Sequence, residues 1–193
     1  MPNNSTLLVF AHRDEATAFA DVAHIVTGVG KINAAVSLAE ALGARDPKSE
    51  TANGVDRVVV LGTAGVVGEG QHRLDLNTVY QVTGAVQHDF SLPSPELRPA
   101  GEVILPDHTT TIATGDVFVK NDAQRAHIHE LGAALVDMET YAFASVCERF
   151  NVPLQVFKIP SDFADSSTTD EEWDTIVFRK SEQLREFWDA RLA

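Results

Sequence analysis

LVDMETYAFASVCERFNVPLQVFKIPSDFADS, residues 135–166, runs as an apolar approach, a carboxylate, a helical segment, a buried strand and a second carboxylate. Leu135 and Val136 lead into Asp137, Met138 and Glu139. Ala142, Ala144, Val146, Cys147 and Phe150 are the apolar members of a helical pattern, which Asn151, Val152 and Pro153 break. Residues 154–159 read as a buried strand that delivers Ser161 and Asp162. Strand followed by helix followed by strand is the grammar of an α/β sheet, whose ligands bind beyond the carboxyl ends of the strands. Glu139 and Asp162 both fall at such ends, so one pocket can hold both. Each also has a plain structural explanation: a carboxylate at a helix N-terminus for Glu139, a turn or helix cap for Asp162.

Working outward, 193 residues suit one α/β domain, read here as spanning 1–193. Apolar residues at 44% and charged residues at 22% are ordinary for a globular chain with a sizeable core. A formal net charge of −13 argues against nucleic acid or an anionic membrane as partner, since both reward positive charge. Cys147 is the one cysteine, so no intrachain disulfide forms, and its place on an apolar helix face marks an inert core thiol. No run of 18 or more apolar residues predicts a membrane span. Residues 1–6 lack the layout of a signal peptide, so a cytoplasmic protein is expected.

Residues 7–10 read as a first strand, ending at Ala11, His12, Arg13, Asp14 and Glu15, with a short helix from about Asp14. Ile25 and Val26 read as a second strand running into TGVGKINAA and a long Ala-rich helix to about Ala44. Residues 45–56 read as a polar surface loop. Residues 57–61 lack polar alternation, which predicts a central strand covered on both faces, entering GTAGVVGEG. Further strands are expected at 78–82, 103–105 and 110–114, a Pro-bearing loop or flap at 87–101, and a helix at about 122–131. A final helix, about 169–192, carries an apolar stripe of Trp173, Ile176, Val177, Leu184 and Phe187. Gly28-Val29-Gly30-Lys31 and Gly62-Thr63-Ala64-Gly65 read as turns after strands, where glycine permits positive φ and close approach to a ligand. Neither is a GxGxxG fingerprint, and no GxxxxGK[ST] occurs, so dinucleotide and P-loop readings are discarded.

These motifs, in this order, resemble the purine nucleoside phosphorylase and nucleosidase superfamily, most of all its methylthioadenosine/S-adenosylhomocysteine nucleosidases. The likeness covers nearly the whole chain and implies an α/β domain with a central mixed β-sheet flanked by helices. Met138 and Glu139 match a Met-Glu pair whose Glu binds the ribose hydroxyls. Ser161 and Asp162 match a Ser-Asp pair whose Asp is general acid on the purine. Gly28-Val29-Gly30-Lys31 is similar to a Gly-Ile-Gly-Lys turn. Thr63 stands for a Ser in a Gly-rich segment against the ribose and the attacking water. Thr114-Gly115-Asp116-Val117-Phe118-Val119 is similar to a segment in which the Phe stacks on adenine and the next backbone unit reads its edge, roles that pass to Phe118 and Val119. Gln87-His88-Asp89 resembles a Tyr-His-Asp beside the purine, which makes His88 a binding candidate. Glu15 matches the last member of a Glu-Glu-Glu run that activates water. Here the run is Arg13-Asp14-Glu15, so only that member is kept.

The resemblance implies a nucleosidase that hydrolyses the N-glycosidic bond of an adenine nucleoside: Asp162 protonates the departing purine, Glu15 takes a proton from water, Glu139 holds the ribose. The chemistry suits paired carboxylates. No metal or organic cofactor is needed, and HExxH or a clustered Cys/His set is absent. A phosphorylase is the first alternative. It needs cations for phosphate, and Val60 stands where hexameric phosphorylases carry an Arg, leaving Arg13 as the one cation near the first strand. A non-catalytic nucleoside-binding protein is the second, against which the retention of three carboxylates counts. His12 stands where a Met meets the 5′ substituent, so a polar 5′ end is favoured. The segments after the first helix and after His88 are short relative to the family. A homodimer is expected.

Overall fold

In the computed structural model, which describes residues 5–43, 54–167 and 170–193, strands and helices alternate. β1 (Thr6–Phe10) exits into a 3-10 helix (Arg13–Phe19), and β2 (His24–Val26) exits into α1 (Lys31–Gly43). β3 (Arg57–Val66), β4 (Tyr80–Gln87) and β5 (Thr109–Thr114) follow. Then come α2 (Asp122–Glu130), β6 (Leu135–Asp137), α3 (Thr140–Phe150), β7 (Leu154–Asp162) and α4 (Asp170–Arg191). Residues 1–4, the part of the expected surface loop up to residue 53, and the expected helix start at Thr169 lie outside the described residues.

The seven strands form one mixed sheet, as the sequence predicts for an α/β domain, and part of it closes on itself. β7 runs parallel along one edge of β3 from Val58 to Gly65. A strand has only one other edge. β1 occupies it over residues 57–60, and β6 pairs antiparallel at Gly65 and Val66. β6 pairs with β5, β5 with β4, and β4 returns antiparallel to β7. The ring β3–β6–β5–β4–β7 leaves no open edge among its members, and β1 and β2 extend from it.

β3 is the axis because both of its faces are covered. Val58 and Val60 pack among Leu38 and Leu42 of α1 and Phe143 and Cys147 of α3. Val59 and Leu61 point the other way, toward Phe19 and toward Leu184 and Trp188 of α4. The period-2 alternation of a strand thus feeds two cores. Each such side chain contributes about 1.5–3 kcal/mol on full burial. Cys147 is buried, and burial pushes its thiol up to about 12, as an inert core residue requires.

Four sequence expectations are corrected. Gly62–Gly65 is no turn: β3 continues through it to Val66. The small residues are spacers, since a Cβ on Gly62 would lie 3.2 Å from both Glu15 Oε1 and Lys158 Nζ. Residues 103–105 form no strand. The Gln81 side chain accepts the Ile104 and Leu105 N–H groups at 2.8 and 3.2 Å, which replaces a ladder partner. β4 runs to Gln87, well past the expected end at residue 82. On α4 the buried face includes Lys180 and Ser181 as well as Val177 and Leu184, while Trp173 leaves the stripe for the site described next.

Candidate active site

The 3-10 helix presents Glu15, and two devices fix it. His12 at its N-cap accepts the Asp14 N–H through Nδ1 at 3.2 Å and donates its own N–H to Glu15 Oε2 at 3.1 Å, a reciprocal capping box. From α4, Ser181 Oγ donates to the Glu15 carbonyl at 2.7 Å and accepts the Ala18 N–H at 3.0 Å. The carboxylate, only 4% exposed, accepts the Thr63 N–H and hydroxyl on Oε1 at 2.7 and 2.8 Å. Trp173 Nε1–H points at Thr63 Oγ1 from 3.3 Å. Because an indole only donates, the Thr63 proton is left for Glu15.

β6 ends at Asp137, and Glu139 two residues on is the N-cap residue of α3. Asp137 is the structural member. Its carboxylate accepts the Thr114 hydroxyl at 2.7 Å, the Thr140 N–H at 3.1 Å and the Thr140 hydroxyl at 2.5 Å, and so caps α3. It also pairs with Lys158 Nζ at 3.0 Å, both side chains nearly dry. Glu139 accepts the Gly30 N–H at 2.9 Å. Gly30 has φ of +96°, a conformation open to glycine, and it turns that N–H toward the carboxylate. Burial, then the Asp137 charge, push the Glu139 carboxyl up to about 8, against the opposing pull of Lys158. Desolvation by itself would lower the Lys158 amine, but the charges of Asp137, Glu139 and Glu15 outweigh it and raise it above the ordinary lysine range. Lys158 is thus a buried cation paired with Asp137 and set among the acidic side chains Glu139 and Glu15.

The raised Glu139 value makes a stability prediction. Unfolded, the group titrates at the ordinary glutamate value of 4.5. Between that value and about 8 the folded chain keeps a proton that the unfolded chain has lost. The contribution is thus present at low pH and lost as pH rises to about 8. The ligand-free protein is expected to lose more melting temperature between pH 5 and 8 than Glu139→Gln does. Equal slopes contradict the assignment.

Asp162 ends β7, and a β-bulge aims it. Pro160 opposes Ala64 and Asp162 opposes Gly65, so Ser161 is the extra residue. Pro160 has no N–H for the ladder, and Ser161 Oγ lies 3.3 Å from the Ala64 carbonyl. Asp162 Oδ2 accepts the Ser161 hydroxyl at 2.6 Å, and Oδ1 accepts the Ala164 N–H at 2.8 Å. Ala164 has φ of +49°, strained for a residue with a Cβ.

One cavity of about 290 Å³ gathers these groups. Glu15, Glu139 and Asp162 line it, with His12, Val29, Thr63, Phe118, Val119, Met138 and Ser161. His88 does not: its ring packs on Gly115, where an added Cβ would lie 2.4 Å from it. Sequence reasoning missed Asp137, Trp173 and Asp174 on the lining and Lys158 beneath it. Two signals were available. A lone lysine inside an apolar strand needs a buried counter-charge, and a Trp needs a partner for its N–H.

The comparisons agree with this architecture. A family model described as the phosphorylase superfamily matches residues 16–190. A 5′-methylthioadenosine/S-adenosylhomocysteine nucleosidase of Staphylococcus aureus is 26% identical over 164 residues, 72% of this chain and 67% of that protein. Among solved structures, a futalosine hydrolase mutant of Helicobacter pylori matches with TM-score 0.80 at 19% identity, covering 97% of both chains. The Streptococcus pneumoniae MTA/SAH nucleosidase in complex with 8-aminoadenine matches with TM-score 0.78 at 19% identity, over 94% of this chain and 96% of that one. With the family model spanning nearly the whole chain, and a mixed sheet of the same fold placing a carboxylate-lined cavity at its strand ends, the protein belongs to the phosphorylase superfamily.

Proposed function

We propose that the protein is a purine nucleosidase that hydrolyses the N-glycosidic bond of an adenine nucleoside. The observation that carries this is the convergence of Glu15, Glu139 and Asp162 on one cavity that also holds Phe118. In this reading the base lies against Phe118 and Val119 with Asp162 at its edge, and Ser161 orients Asp162. Glu139 and Met138 take the ribose, and Glu15, steered by Thr63, takes the proton of an attacking water. An oxocarbenium-like sugar gains from the carboxylates around it. The cationic groups that would favour phosphate are not at the cavity: none of its described lining residues is Arg or Lys, and the Arg13 side chain is 83% exposed. Incubation with adenosine tests the proposal by chromatography for free adenine. Release supports it, and intact adenosine at micromolar enzyme overturns it.

His12 bears on the 5′ substituent. Its Nδ1 is engaged by the Asp14 N–H, which leaves the proton on Nε2 as a donor, and its ring stands edge-on to Trp173 at 5.2 Å between centroids. A donor left without a partner by a thioether disfavours it, whereas a 5′ hydroxyl satisfies it. The expected preference is for adenosine over methylthioadenosine in kcat/KM, and His12→Met should shift the ratio toward the thioether by about tenfold. A ratio unchanged by the substitution would mean that His12 acts only as the cap of the Glu15 turn.

A homodimer is part of the proposal. Ile32 and Val36 of α1 are 76% and 52% exposed, and Val36 and Ala39 share a groove with Val146 and Phe150. Apolar side chains at that exposure favour a covered face. Light scattering at micromolar concentration should give twice the chain mass, and a monomer mass would refute it.

A further inference from the structure

Three polar residues brought together at the cavity rim have no part in the chemistry above. Lys31 follows the Gly28–Gly30 turn, Asp89 follows β4, and Asp116 follows β5. Lys31 Nζ donates to Asp89 Oδ1 at 2.6 Å and to Gln87 Oε1 at 3.2 Å. The other Asp89 oxygen, Oδ2, accepts the Asp116 N–H at 2.8 Å. The circuit closes where Asp116 Oδ1 accepts the Lys31 N–H at 2.7 Å. The Lys31 and Asp89 side chains are only 20% and 21% exposed, so the pair is shielded from the screening that makes surface ion pairs weak.

What the circuit encloses borders the cavity. Gly30, one residue before Lys31, donates its N–H to Glu139. A Cβ at Gly30 would lie 3.1 Å from Asp116 Oδ1, so the turn and the β5 exit are in direct contact. Phe118 and Val117 of the cavity wall come two and one residues after Asp116. The circuit links two segments that reach the cavity by different routes, the Gly28–Gly30 turn through Lys31 and the β5 exit through Asp116.

We propose that Lys31, Asp89 and Asp116 form a clamp that positions the nucleoside site: it fixes the Gly30 N–H on Glu139 and ties the Phe118 loop to the same turn before substrate arrives. The kinetic consequence rests on the nucleosidase function proposed above; the clamp itself does not. Positioning residues of this kind act on binding, because a preformed site spares the substrate the ordering cost of two loops. The effect should depend on the substrate hydroxyls that Glu139 holds.

The test has two arms on the full chain. In hydrogen–deuterium exchange without substrate, Lys31→Met and Asp89→Asn should exchange faster than wild type at residues 28–31 and 115–118, with the β3 and β7 core unchanged. In kinetics, both variants should lose about tenfold or more in kcat/KM for adenosine, mainly through KM. The loss should be clearly smaller for 2′-deoxyadenosine, which lacks a hydroxyl for Glu139 to hold. Lys31→Arg, which keeps the charge, should restore most of both readouts. Unchanged exchange in both loops overturns the clamp, as does an equal loss on the two nucleosides with a native melting curve. Adenine release by the wild type keeps the proposed function standing in either case, and its absence sinks that function while the exchange arm still judges the clamp.

Discussion

Asp162→Asn is expected to lower kcat for adenine release by about 100- to 10,000-fold while leaving the melting temperature nearly unchanged. Asparagine cannot supply a proton to the departing base. The fold has no reason to object. The Asn oxygen can still accept the Ala164 N–H that Oδ1 accepts at 2.8 Å. The amide nitrogen would face Ser161 Oγ, which now donates to Oδ2 at 2.6 Å. Ser161 has an alternative acceptor in the Ala64 carbonyl at 3.3 Å, so its hydroxyl can turn there and accept from the amide. Steady-state rates on adenosine, with thermal melting of both proteins, check this. An Asn variant of full activity would reduce Asp162 to a cap for the turn after β7. A variant that melts far below wild type would instead make the loss of rate a folding effect.

Lys158→Met is expected to destabilise the protein by about 3–5 kcal/mol, because it leaves the Asp137 carboxylate buried without its cation. Both side chains are nearly inaccessible, at 1% and 2% exposure, so water cannot take the place of the ammonium. The damage should spread. Asp137 caps α3 through Thr140, and Lys158 is also the cation that opposes the burial of Glu139 and faces Glu15. Urea unfolding should show the drop in midpoint, and Lys158→Arg, which retains the charge, should show a smaller one. An unfolding free energy within about 1 kcal/mol of wild type would mean that Asp137 is held by Thr114 and Thr140 alone.

Glu139 and Asp162 were legible in the sequence because each stands at the end of a strand-like run, where an α/β sheet presents its ligands, whereas Glu15, inside the 3-10 helix, is singled out by the resemblance alone. The two-faced burial of residues 58–61 was legible for the same reason: four consecutive apolar residues have no solvent side. Ring closure was not, since residues 65–66 meeting residues 135–136 is a long-range pairing that no local pattern encodes. The continuation of β3 through Gly62–Gly65 was hidden by composition. Two glycines read as a turn, yet Gly62 admits Glu15 and Lys158 against the strand and Gly65 admits Ala164 and Asp162. By period Trp173 belongs to the apolar stripe of α4, and only the tertiary position of Thr63 gives its indole N–H a destination. His88 lies off the cavity because Gly115 leaves room for its ring beside the β5 exit. Lys158 and Asp137 are 21 positions apart, and it is the tertiary fold that sets the middle of β7 against the end of β6.

The central claim is that water, directed by Glu15, cleaves an adenine nucleoside in this cavity. The most direct measurement is the identity of the sugar formed from adenosine in ¹⁸O-labelled water with millimolar phosphate present, read by mass spectrometry. Free ribose carrying one ¹⁸O at its anomeric carbon, formed at a rate indifferent to phosphate and slowed about 100- to 10,000-fold in Asp162→Asn, is the predicted result. Ribose 1-phosphate as the product, or adenine released only when phosphate is added, would contradict it.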